Sequence, residues 1–533
     1  MTNFVKELSE YAEIINNLGK VKFLDGKNLS EKLSFGGAPF WEIFSPEICW
    51  RHLVTASAAK SFTSLLKLRI KPYYLLIREW LKRKKLKETS YKKNINININ
   101  INYKGAIIFL GFTPRMYLDV LEPVILQLNK SKKHKIIVLT DKTGMFKEFK
   151  KYPNIPGVLF RDIWSFWNEE IESESKSLKK TVSSQLNKIH SEVGAGLFKS
   201  FFSDTHGRAL SIALKMTFRC YIPLLIEQTA IAKFILKKFS PKIIISPDAS
   251  DARARLYTLL GKEAKIPSLD IQYGLTGPDG VEWKFLSTNK VAVWGKSSRD
   301  ELIKHGVNKN KIVITGSPRH DSGTTKDEKS LKILKQKYNI NKDKIVILFA
   351  STYTDKSHYI FSDPNVLNNM KKSIFDTAIL HPNILLLVKP HPVENITETK
   401  ALVKNFENIF FVDKTENIMD LIHLSDSFIS FGSTSTIDAL IANKLSICPI
   451  FPGWPFSRII DETGVVLVPK SKDELGKIFN QFTKNMKPFN AGKSKTNKNF
   501  IDSFVHKVDG NSAERVKNLI LDIAIGSNQY ECR

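Results

Sequence analysis

His391, Lys389, Ser433, Thr434, Ser435 and Thr436 are the side chains whose types and spacing point most directly to chemistry. They lie in two stretches of residues 385–444, LLLVKPHPVE and DSFISFGSTSTIDALIANK. Each stretch is an apolar run that ends in small polar residues, and the second passes into a helix starting near Ser433. Backbone N–H groups at a helix start carry partial positive charge and accept an anion. The hydroxyls of residues 433–436 add donors, and Gly432 lets a ligand approach the backbone. Lys389 and His391, followed by Pro392, close the same pocket with charge, so the grouping reads as a phosphoester site. The competing reading is local: a histidine before proline caps a loop, and an STST run serves as an N-cap. The anion-binding helix start in the same series favours the functional reading of His391.

Such a pocket needs parallel strands to carry it, and the chain supplies two series of them. From residue 104, KGAIIFLGF and HKIIVLTD flank a helical stretch, the pattern of a βαβ unit. A long polar helical region over 165–240 is followed by PKIIISPDAS, IPSLDIQYGLTGP, VAVWGKSSRDELIKHG and KIVITGSPRHD. The second series runs through KIVILFASTYTD, NILLLVKPHP, NIFFVD, DSFISFG and LSICPIF. This predicts an α/β protein of two Rossmann-like domains facing a cleft, with a mostly helical N-terminal extension. The boundaries are 1–102 for the extension and its NININININ linker, 103–325 for the acceptor domain and 326–500 for the donor domain. Residues 501–533 form a closing helix expected to pack back across a hinge near 321–341.

Composition narrows the classes. The 533 residues are 42% hydrophobic, enough for more than one core, so the chain is no disordered protein. It shows neither a secretory leader nor an apolar run long enough to span a bilayer, and a cytoplasmic setting is expected. Cys49, Cys220, Cys448 and Cys532 are scattered without CxxC spacing, which predicts reduced thiols rather than disulfides or zinc. The formal charge of +28 invites a nucleic-acid reading, yet no RNA-binding sheet, zinc finger or helix-turn-helix pattern accompanies it. SLLKLRIKPYYLLIREWLKRKKLK, residues 64–87, joins aromatic residues to a basic run. It reads first as a helix packed on its own domain with a solvated basic end, since Pro72 interrupts the pattern. The alternative is peripheral contact with the anionic inner face of the membrane, with Tyr73, Tyr74 and Trp80 at the interface and Arg83, Lys84 and Lys85 near lipid phosphates.

Taken in order, IQYGLTGPDG, VWGKSSRDELIKHGV, KIVITGSPRHD, LLLVKPHP and FISFGSTSTIDALI resemble the bacterial glycosyltransferases of the GT-B fold that make capsules and surface polysaccharides. The similarity is to the HP-motif enzymes: polysialyltransferases, capsule Kdo transferases and teichoic-acid polyol-phosphate transferases. It implies a nucleotide-sugar donor as substrate, no further cofactor, and a glycan or lipid-linked acceptor. His391 and Pro392 match the HP motif, whose histidine contacts the donor phosphate in that family. Ser433, Thr434 and Ser435 match its Ser/Thr-rich donor loop, and Gly316 and Ser317 end a strand that usually faces the cleft.

An inverting transfer needs a first-domain carboxylate or histidine to take the acceptor's proton. Asp248 and Asp251 of SPDASDAR qualify by position after a strand. Asp279 of GPDG resembles the family's acidic-acidic-glycine motif, although Pro278 takes the first acidic place. Each reads equally as a turn or N-cap aspartate. The absence of a DxD pair in the sequence predicts metal independence. Three enzymes remain: a glycosyltransferase, a polyol-phosphate transferase using a CDP-polyol, and a non-hydrolysing nucleotide-sugar 2-epimerase. The last ranks behind the others because that family carries a glutamate where this chain has Gln272, and an amide cannot take a proton from C2. The non-enzymatic alternative is a basic nucleic-acid-binding protein.

Overall fold

The computed structural model describes residues 3–23, 25–58, 62–92, 103–143, 153–192, 205–277, 280–321, 326–341, 343–352, 364–391, 394–403, 407–454, 463–484 and 493–526. After a short hairpin, β1 (Ser34–Phe35) and β2 (Ala38–Pro39), seven parallel strands form a first sheet. These are β3 (Ile107–Leu110), β4 (Ile136–Thr140), β5 (Val158–Asp162), β6 (Ile243–Ser246), β7 (Ser268–Ile271), β8 (Lys290–Val293) and β9 (Ile312–Ile314). Their order across the sheet is β5-β4-β3-β6-β7-β8-β9. A second parallel sheet of five has the order β12-β11-β10-β13-β14, from β10 (Ile345–Ala350), β11 (Ile384–Lys389), β12 (Ile409–Phe411), β13 (Ser427–Ser430) and β14 (Leu445–Ile447). Both halves of the predicted α/β architecture are therefore present.

Continuous apolar runs make these strands because each sheet is covered on both faces. In β3, Ile108 and Leu110 turn toward one face and Ile107 and Phe109 toward the other. The first face meets the helix Ile222–Phe239 and the N-terminal helical segment, where Leu8, Ile15, Phe40 and Phe44 join the same core. The extension is thus built into the first domain. The second face is covered by Val124 and Leu128 and by the C-terminal helix Ser512–Gly526, through Ala513, Val516, Ile520 and Ala524. Asp321, just beyond β9, accepts from the N–H groups of Ser512 and Ala513 at 2.9 and 2.7 Å and so fixes that helix's start. In the second domain, Ile347 and Phe349 pack beneath the helix Pro364–Ile379, while Val346 and Leu348 meet the helix Ile418–Leu424.

A further apolar cluster crosses between the domains. Trp294, from the end of β8, packs with Ile437, Leu440 and Ile441 of the helix Ser435–Ile441 and with Phe500 and Phe504 of the helix Lys493–Phe504. At Gly295 a Cβ would strike the carbonyl of Ser503, so the close crossing needs glycine there. The NININININ stretch lies outside the described residues. Cys49, Cys220 and Cys448 are buried and form no disulfide with one another, and Cys532 lies outside the described residues.

Candidate active-site cleft

Parallel strands bring all their C-terminal ends to one edge, and ligands favour the point where strand order reverses. In the second sheet that point lies between β10 and β13. Gly432, Ser433, Thr434 and Ser435 follow β13, while Lys389 and His391 close β11 on the other side of β10. Two strand spacings put the loops ~10 Å apart at one edge. The structure therefore places Lys389, His391 and residues 432–435 at the same edge of the sheet. Pro392 lies outside the described residues.

Local forces shape each of these. Gly432 has φ +72°, a left-handed conformation that turns the chain from strand to helix. The helix begins at Ser435, two residues beyond the predicted start. Ser433 and Ser435 hydrogen-bond to each other and Ser430 Oγ contacts Thr436 Oγ1 at 2.6 Å, so the loop's hydroxyls are partly engaged internally. Lys389 Nζ donates to the carbonyls of Asp413 and Lys414 at 3.0 and 2.7 Å. Burial, then the nearby Arg115 charge from the first domain, pushes its ammonium down to about 8. His391 is half-buried, and its backbone N–H donates to Glu394 Oε2 at 2.9 Å.

Across the cleft the first domain presents the loops after β7 and β9. Arg319 is the hinge point of an ionic bridge, reaching Asp438 of the second domain at 2.5 Å and Asp119 of the first at 3.1 Å. His320 Nε2 meets the same Asp438 at 3.0 Å and its ring lies edge-on to Trp294. Burial alone would raise Asp438, but Arg319 and His320 outweigh it and hold the carboxyl at about 2. Leu275 N–H donates to Thr434 Oγ1 at 3.3 Å, a direct link from the first domain to the donor loop. Tyr273 stands among Arg115, Asp119, Arg319 and Asp438, its phenol raised chiefly by burial.

Other predicted residues fall elsewhere. Gly316, at φ +81°, faces the C-terminal helix: a Cβ there would meet Ser512 Oγ at 2.5 Å and Arg515 at 3.0 Å. Ser317 is fully buried, and its Oγ has no hydrogen-bond partner among the described residues. Asp248 lies at the first sheet's own reversal point, after β6 and beside β3. Its Oδ1 accepts from Ser250 N, Ser250 Oγ and Asp251 N at 2.9, 2.7 and 3.2 Å, an Asx turn. Burial and then Asp251 raise it above the ordinary carboxylate range. Asp251 caps the helix Ala252–Glu263 and pairs with Arg253. Asp279 lies outside the described residues. Gln272 is locked: its oxygen accepts from Trp294 N at 2.8 Å and its nitrogen donates to Gly274 O and Ser298 Oγ at 2.8 and 3.0 Å. An ionised glutamate could not donate to the Gly274 carbonyl. Among the described residues no group of three or more His, Cys, Asp and Glu side chains is placed to hold a metal.

Sequence reasoning passed over Arg319, Asp119, Arg115 and Tyr273 as site residues. The PRH turn straight after β9 was the available signal for Arg319, whereas Asp119 and Arg115 sit at a helix start that carries no motif.

Two Rossmann-like sheets facing across a cleft, joined by loops from their C-terminal edges, make this a GT-B fold. The model of the CDP-glycerol:poly(glycerophosphate) glycerophosphotransferase family matches residues 302–451. That match takes in Arg319, His391, the 432–435 loop and Asp438. No curated protein matches the chain by sequence. Among solved structures, the UDP complex of S. aureus MnaA is similar at 14% identity and TM-score 0.50, over 79% of this chain and 97% of that one. The wall teichoic acid polymerase TagF aligns at 12% identity and TM-score 0.48, over 86% and 98%. A UDP-GlcNAc 2-epimerase from Neisseria meningitidis aligns at 14% and 0.48, over 78% and 99%.

Proposed function

We propose that the chain is a transferase that takes a polyol phosphate from a CDP-activated donor held on the second sheet and passes it to a hydroxyl of a surface glycan or lipid-linked acceptor. The observation that carries this reading is the match of residues 302–451 to the glycerophosphotransferase family, which spans the whole predicted donor site. In such a reaction the acceptor oxygen attacks the phosphorus bound to the polyol, its proton passes to a base, and CMP leaves with the bridging oxygen. His391, together with Lys389 and the Arg115 that lies near Lys389, offsets the charge that gathers on the departing phosphate. Asp248 is the proposed base, placed where first-sheet ligands sit, and no metal step is required.

Glycosyl transfer is the second reading. The first domain, which would hold the acceptor, lies mostly outside the family match, and its motifs resemble those of capsule glycosyltransferases. The two readings share a cleft and differ at the atom attacked, phosphorus or anomeric carbon.

A thermal-shift screen of the full chain with CMP, CDP, UDP and GDP, followed by assay of CMP release from CDP-glycerol, tests this. A ligand at 100 times its Kd adds about 2.7 kcal/mol to the folded state, a readily measured shift. Stabilisation by CMP or CDP with release of CMP is expected. Stabilisation by UDP alone, with a UDP-sugar consumed, would replace polyol phosphate by glycosyl transfer, and no shift with any nucleotide would end both readings.

A further inference from the structure

Between the HP loop and the helices behind it lies a buried ion pair that the proposed chemistry does not use. Lys371, from the helix Pro364–Ile379, meets Glu394 Oε1 at 2.7 Å, with side chains only 3% and 2% exposed. The same oxygen accepts from Ser351 Oγ at 2.8 Å and Thr399 Oγ1 at 2.5 Å, and Oε2 accepts the backbone N–H of His391 at 2.9 Å. Glu394 N–H returns a bond to His391 O at 2.9 Å.

The Lys371 ammonium and the His391 N–H can only donate, and each meets one oxygen of this carboxylate. A glutamine would turn its NH2 against one of them. Buried ion pairs are poor sources of stability, because desolvation consumes most of the attraction and apolar replacements of equal volume fold as well or better. What this pair does offer is specificity of shape: Ser351 follows β10 and His391 follows β11, so one carboxylate ties together the C-terminal ends of two neighbouring strands at the edge where the donor pocket lies.

We propose that Glu394, neutralised by Lys371, is the positioning residue that sets His391 against the donor. The proposal rests on the reading of His391 as the donor-phosphate group, and the test separates the two. Amide exchange at His391 reports the socket alone, whatever the protein's substrate. Glu394→Gln, and the volume-conserving pair Lys371→Met with Glu394→Met, are each expected to speed that exchange by ~10-fold or more while far amides keep their protection. With CDP-glycerol, kcat is expected to fall ~30-fold or more, with CMP affinity within ~3-fold of wild type. The paired variant serves where the single one fails to fold, since it leaves no uncompensated charge. Unchanged exchange at His391 in a folded variant overturns the proposal, as does faster exchange with undiminished kcat in an active enzyme. A wild-type chain that turns over no nucleotide donor removes the function assigned to His391, while the exchange rates still decide whether Glu394 sets its loop.

Discussion

His391 is half-buried at a pocket rim, so its removal opens no large cavity. His391→Ala is expected to lower turnover ~10²-fold, the usual loss of one donor to developing charge, with a small change in Tm. Equal rates on a confirmed donor would contradict it. Asp248→Asn and Asp279→Asn keep shape and remove basicity, so the true base should lose transfer while still binding donor. For Asp248, whose carboxyl is raised above the ordinary range, activity should fall with pH through a midpoint higher than that of a free carboxylate. Asp438 behaves oppositely. Its group, held at about 2 against an ordinary 3.8, protonates sooner in the unfolded chain, so its share of stability is complete above pH 4 and vanishes toward pH 2. That share is roughly 2 kcal/mol, and Asp438→Asn should flatten the measured dependence of Tm on pH in that window. The residues readable in advance, His391, Lys389 and the 432–435 loop, were those whose strand ended in a local pattern. Arg319 and Asp119 acquire meaning only from Asp438, which is more than a hundred residues distant from Arg319 in sequence, and no local pattern carries that.

At the scale of elements, buried strands were legible as apolar runs, and β3, β6, β10, β11 and β13 fall where those runs stand. β5 escaped because it is an edge strand with most of its side chains only partly buried and with Arg161 and Asp162 in it. The helix Phe62–Lys92 runs through Pro72 without interruption. Arg83, expected among lipid phosphates, is buried instead: it stacks on Trp164 and pairs with Glu79 and Glu227, and Lys87 joins the same glutamate at 2.7 Å. The opposite side leaves Tyr73, Tyr74, Ile77, Trp80 and Leu81 about half exposed or more, beside exposed Lys84 and Lys85. No described helix is long and apolar enough to cross a membrane, and the membrane reading of residues 64–87 is tested at that exposed surface. Replacing Tyr73, Tyr74 and Trp80 with Ser, and Lys84 and Lys85 with Gln, should abolish co-sedimentation with anionic vesicles while leaving the fold intact; each surface lysine contributes about 1 kcal/mol near anionic lipid. Sedimentation unaffected by these changes would remove the membrane from the account.

At the scale of the whole molecule, the Arg319, Asp438 and His320 bridge and the Trp294 cluster fasten the sheets at one end of the cleft. Arg319→Ala strands Asp438 in the interior and is expected to cost ~3 kcal/mol or more, measured by denaturant unfolding. The returning C-terminal segment has a separate consequence. A ribosome releases residues 107–314 long before it makes Ser512, yet Ile107, Phe109 and Ile243 are to be covered by Val516 and Ile520. The first domain therefore waits, with one side of its sheet covered only in part by the helix that carries Val124 and Leu128, until the second has been synthesised. Nascent chains stalled before residue 505 should accordingly be trapped by holdase chaperones and precipitate without them, whereas chains extended past residue 526 should release in soluble form.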